Sequence, residues 1–139
     1  MSPWQVLDHT ADVGLTVTAE SLEAAMGELV EGYGHLVCPD GEIEQREERV
    51  LEVQAPNLED LVIDLLDEVN VLHQMEGFIP ARCTARLDLT GDAPRVSLTM
   101  HGEAWDEERH GYLMEIKATT YHGMEVIEEP ARIVVIFDI

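Results

Sequence analysis

From Val13 to Ala19 the chain alternates: Val13, Leu15, Val17 and Ala19 are interleaved with Gly14, Thr16 and Thr18. A period of two marks a strand buried on one face. Gln5, Val6 and Leu7 form a short strand before it. After Ser21, which offers a hydroxyl as N-cap, the period changes. Leu22, Ala25, Met26, Leu29, Val30 and Tyr33 recur at helical spacing, and Gly32 and Gly34 are expected to stop this first helix. "CPDGEIEQREE" reads as a polar loop or hairpin end, and Val50 to Ala55 as a strand. Asn57 with Asp60 three residues on resembles a helix start. Leu58, Leu61, Val62, Leu65, Leu66, Val69 and Leu72 then share one stripe, and Gly77 closes this second helix. Asp60, Asp64, Asp67 and Glu68 fall mostly off the stripe, as a solvated face.

The second half reads as strand. Ala81 to Leu89 alternate, "TGDAP" turns the chain, and Val96, Leu98 and Met100 alternate again. "WDEERHGY" is a polar excursion, with Asp106, Glu107 and Glu108 as solvated loop charges. Met114, Ile116, Ala118 and Thr120 outline one face of another strand, with Glu115, Lys117, Thr119 and Tyr121 opposite. Pro130 precedes "ARIVVIF", which is apolar on both faces and so belongs at the centre of a sheet. The pattern predicts an α+β fold of one domain, residues 1–139, with two helices packed on mainly antiparallel sheet.

Charge narrows the function. Twenty-nine acids against eight bases give a formal net charge of −21, and Lys117 is the sole lysine. Such a surface repels phosphate backbones, so direct, tight nucleic-acid binding is not expected. It suits a basic partner protein or a cation, and equally a protein adapted to high salt. No run approaches the ~18 apolar residues of a membrane span, and the N-terminus does not read as a signal peptide. Cys38 and Cys83 match no zinc spacing and read as reduced thiols of a cytoplasmic protein.

Ordinary enzyme signatures do not occur. There is no glycine-rich phosphate loop, no GxSxG elbow and no HExxH. Two acidic places remain. "LDHTADVG", residues 7 to 14, sets Asp8, His9 and Asp12 in a tight connection between two apolar segments. "VIFDI" ends on Asp138 and Ile139, placing a side-chain carboxylate beside a terminal one. A hard cation such as calcium takes several oxygen ligands, and a central last strand could carry this pair to the opening loop. Alternatively, Asp12 caps its own turn and the end is merely exposed.

At these residues the sequence resembles the archease family. "LDHTADVG" is similar to the family's opening motif and "HGYLMEIKATTYHGMEV" to its second. "VIFDI" is similar to its C-terminus and "NLEDLVIDLLDEVNVLH" to its central helix. The departures are Thr119, where Val or Ile is commoner, and Met124, where Leu is usual. The resemblance covers essentially the whole chain and implies an archease-like fold. It implies an accessory protein, without turnover of its own, for the RtcB-type RNA ligase. That ligase joins a 2′,3′-cyclic phosphate or 3′-phosphate end to a 5′-hydroxyl, as in tRNA splicing, after guanylylating itself with GTP. It further implies a divalent ion, most often calcium, held by Asp12, Asp138 and oxygens of Ile139. Asp8 and His9 would then orient the loop or face the partner. Lys117, Tyr121 and His122 would lie near the ion, at the ligase contact, or in a network that stabilises the fold. The other functions weighed are a general chaperone or a modulator of tRNA-modifying enzymes such as a methyltransferase, and a metal-dependent hydrolase using Asp12, Asp138 and His122.

Overall fold

The computed structural model describes residues 3–8 and 12–139, the side chains of residues 7 and 8 excepted. The chain runs β1 (Trp4–Asp8), β2 (Asp12–Thr18), α1 (Leu22–Val37), β3 (Glu47–Gln54), α2 (Leu58–Glu76), β4 (Phe78–Asp88), β5 (Arg95–Ala104), α3 (Glu107–His110), β6 (Ala118–Glu128) and β7 (Ala131–Asp138). The strands form two antiparallel sheets, one in the order β1-β2-β7-β6 and the other β3-β5-β4. The fold is α+β, as the periodicities predict. The last strand is central, between β2 and β6, because both of its faces are apolar and neither tolerates an edge.

The alternation of β2 sets the register of the core. Val13, Leu15 and Val17 lie opposite Phe137, Val135 and Ile133 of β7, and all six are buried. The apolar stripes of α1 and α2 join them, with Val96, Leu98 and Met100 of β5 in the same cluster. Ser21 caps α1 by accepting from the Ala24 N–H, and Asn57 caps α2 by accepting from the Asp60 N–H at 2.8 Å. Gly77, at φ 72°, ends α2 in the left-handed region that only glycine adopts without strain.

The first helix runs further than its glycines suggest. Gly32 and Gly34 lie inside α1, which continues to Val37. Their role is close approach: a Cβ at Gly34 would lie 2.0 Å from the Pro80 carbonyl oxygen of β4. The helix lies along the outer edge of β4, and two of its acids close that edge. The Glu31 carboxylate accepts from the Cys83 N–H at 3.0 Å and Glu23 from the Leu87 N–H at 2.9 Å. Edge groups that would otherwise invite another strand are thereby paired.

Three other expectations change. The strand expected from Met114 begins only at Ala118; residues 111–117 lie outside regular secondary structure, tied instead by the Met114 N–H to the Val37 carbonyl. The excursion at 105–112 contains α3, whose N-cap is Asp106, accepting from the Glu108 N–H at 3.0 Å. Asp106 is therefore a cap rather than a loose loop charge. The acids of α2 are not all solvated either. Asp60 accepts from the Tyr121 hydroxyl, and Asp67 bonds Thr119 of β6. Burial there raises the Asp67 carboxyl pKa, against the lowering effect of Thr119, and Asp64 adds to the rise.

Candidate functional site

Three strand ends converge at one end of the four-stranded sheet. β2 starts at Asp12, β7 ends at Asp138, and these two residues are direct register partners. Cα atoms of such partners lie about 4.5–5.5 Å apart and their side chains share one face. Ala118, the first residue of β6, faces Asp138 from the other side. The Lys117 N–H donates to the Asp138 carbonyl at 2.8 Å, which fixes the start of β6 against the end of β7. Since Val13 and Phe137 form the last pair on the core face, Asp12 and Asp138 point to the other one. Asp12 is half-buried and Asp138 exposed. Ile139, one residue on, packs against the edge of the core.

The residues singled out in the sequence thus divide. Asp12, Asp138, Ile139 and the Lys117 backbone come together. Tyr121 does not join them: its hydroxyl reaches the first turn of α2, and the Asp60 carboxylate pushes the phenol pKa up to about 12. His122 is exposed. Asp8 pairs with Val13 through its backbone. His9 and the Asp8 side chain lie outside the described residues.

The donor set at this end is oxygen only. Among the described residues no three His, Cys, Asp or Glu side chains gather as a metal-ligand group. Asp12 and Asp138 supply two carboxylates, and Ile139 adds main-chain oxygens beside them. Two carboxylates directly opposite on one sheet face repel each other. A hard divalent cation bound through oxygen suits that chemistry, whereas a thiolate- or imidazole-seeking metal does not.

A second carboxylate centre was not legible in the sequence. Glu103, near the end of β5, is 2% exposed. It accepts from the Arg109 guanidinium, from the Glu44 N–H at 2.7 Å and from His110 Nε2 at 2.9 Å. The Asp106 N–H donates to His110 Nδ1 at 2.7 Å, so Nε2 is the nitrogen that carries the hydrogen toward Glu103. Burial alone would raise the Glu103 pKa, but the bonds from Arg109, Glu44 and His110 outweigh it and hold the carboxyl at about 2. With both ring nitrogens of His110 committed, this is a clamp for the loop 39–46 and α3 rather than a catalytic pair. An acid at a strand end reads as solvated, so only the tertiary fold reveals it.

Comparison with known proteins decides the family. Residues 4–139 match the model of the archease protein family (MTH1598/TM1083). This chain belongs to the archease family. Archease is an accessory-protein family rather than an enzyme family. Proteins named archease from Thermococcus gammatolerans and Methanopyrus kandleri are 34% and 30% identical over 130 residues. Those alignments cover 94% of this chain and 92% and 93% of those proteins. The solution structure of Methanobacterium thermoautotrophicum protein 1598 superposes with a TM-score of 0.83 at 27% identity, covering 100% of both chains. The archease-like fold expected from the motifs is therefore present from end to end. No helix among the described residues is long and apolar enough to cross a membrane.

Proposed function

We propose that this archease activates an RtcB-type RNA ligase, promoting its guanylylation and repeated turnover, and that the Asp12–Asp138 end of the sheet is its working surface. The observation that carries the reading is the register itself. The opening and closing motifs, 126 positions apart, are direct partners on adjacent strands, with the second motif fastened to them through Lys117. Asp12, Asp138 and the oxygens of Ile139 would hold a divalent cation such as calcium, which takes oxygen ligands. When bound, the cation supplies positive charge that offsets the crowded carboxylates. The chain's own part is positional. β2 and β7 fix the two carboxylates, the Lys117 N–H holds the β7 end, and the acidic surface draws in a basic ligase.

The test is RNA joining by the ligase from the same organism, with the archease at a fraction of the ligase concentration. Wild-type protein should raise the number of joins per ligase above one, and folded Asp12→Asn and Asp138→Asn variants should not. A wild-type protein that leaves ligase guanylylation and turnover unchanged would overturn the reading in favour of a chaperone or modulating role.

A further inference from the structure

A cavity of about 400 Å³ lies between the C-terminal half of α2 and residues 113–116. His73, Gln74, Trp105, Glu115 and Ile116 are among the residues that line it. Ile116 directly precedes Lys117, so the cavity adjoins the acidic sheet end along the chain.

Each side-chain donor group around this cavity already has an N–H turned inward. The Asn70 amide donates to the Ile116 carbonyl at 3.0 Å, and the Gln74 amide points at the same oxygen from 3.4 Å. His73 Nδ1 is 3.1 Å from the Phe78 carbonyl, which can only accept, so Nδ1 carries the hydrogen. Burial lowers the His73 pKa, which keeps the ring in the form whose Nε2 is an acceptor. The Trp105 indole N–H donates to the Gly111 carbonyl at 3.0 Å. The remaining side-chain capacity is mostly acceptor: His73 Nε2, Gln74 Oε1 and the Glu115 carboxylate, against one further amide N–H each on Gln74 and the buried Asn70. Beside these lies the Trp105 ring, 41% exposed, with Leu113 and Met114 as apolar wall.

We propose that this cavity takes an arginine side chain presented by a basic partner protein. A guanidinium brings five donors and no acceptor, which suits the three acceptors of the lining, and its plane stacks on an indole face. The methylene stem lies against Leu113 and Met114. A carboxylate or phosphate would meet the Glu115 charge with a spare amide N–H to hold it but no cationic side chain. The −21 charge of the chain concentrates cationic partners at its surface. The assignment does not depend on the ligase reading, since any basic protein with an exposed arginine satisfies it.

The probe is the capped tripeptide acetyl-Gly-Arg-Gly-amide, titrated into the isotope-labelled whole protein and followed by NMR. Its counterpart carries citrulline, which keeps the planar shape but loses the charge and has a carbonyl acceptor in place of one NH2 donor group. The arginine peptide should shift the Trp105 indole and Gln74 amide signals, leaving Trp4 as an internal reference. Citrulline should bind at least about tenfold more weakly, the factor that ~1.4 kcal/mol represents. Glu115→Gln should weaken the arginine response several-fold, and Trp105→Leu should abolish the Gln74 shift in a protein whose other signals are unchanged. Equal responses to the two peptides, or no movement of Trp105 and Gln74 at tens of millimolar arginine peptide, would overturn the assignment. Failure of wild-type protein to stimulate the ligase would overturn only the functional reading above.

Discussion

Glu103 and the Asp12–Asp138 pair are both carboxylate centres at strand ends, and the protein treats them in opposite ways. Around Glu103 the fold supplies the countercharge: Arg109 and His110 come from a short helix, and the Glu44 N–H comes from a loop. At the sheet end the register sets acid against acid. A satisfied buried carboxylate fastens structure. Two like charges held opposite each other on a sheet cost stability, a cost that the cation of the proposed function would offset. Charge count would never separate them, because 29 acids are spread along the chain.

The contrast breaks hardest at Glu103. Glu103→Ala leaves Arg109 and His110 without their shared acceptor. It should lower unfolding stability by about 3 kcal/mol, as when one partner of a buried ion pair is removed. Denaturant unfolding measures this, and a loss below ~1 kcal/mol would make the cluster no more than a surface pair. The pH dependence sharpens the same point. The folded carboxyl sits at about 2 against an ordinary 4.5. Its contribution is therefore full above about pH 4.5 and is lost as the pH falls toward 2. In Glu103→Gln, stability should fall less steeply across that window than in wild type; parallel curves would mean that other carboxylates dominate acid unfolding.

The next largest effect lies in the core. Tyr33 is 0% exposed and donates to Asn70 Oδ1, while the Asn70 amide donates to the Ile116 carbonyl. Tyr33→Phe strands the Asn70 oxygen and should cost ~1–2 kcal/mol. Because Ile116 leads into Lys117, the variant should also loosen amide exchange at Lys117; unchanged exchange there would separate the core from the sheet end.

At the sheet end itself the sign should reverse. Without divalent cation, Asp138→Asn removes a like-charge contact and should raise stability by a few tenths of a kcal/mol. With calcium, wild type should gain in melting temperature and the variant should not. If both gain equally, calcium binds elsewhere. The smallest effect concerns Tyr121. Asp60→Asn should bring the late tyrosine titration, near pH 12, back toward ~10, with little change in stability. A phenol that still titrates near 12 would locate its cause away from the α2 cap.

By itself, the sequence determined what short-range physics controls. Alternation along Val13–Ala19 and the stripe of α2 gave strand and helix their buried faces. Ser21, Asn57 and Gly77 placed caps where unpaired backbone groups need them, and an all-apolar "IVVIF" required a central strand. The motifs at Asp12 and Asp138 were visible as strings and pointed to a family. Tertiary structure decided whatever depends on a distant partner. Gly34 reads as a helix stop until Pro80 of β4 appears 2.0 Å from where its Cβ would be. Glu103 and His110 read as solvent-facing until a loop and a short helix close over them. Tyr121 could have belonged to the acidic sheet end, to a partner contact or to a network that stabilises the fold, and only the packing of β6 against α2 assigned it to Asp60. Local pattern records how a residue meets its own element, but its charge state and its neighbour depend on which segment folds over it.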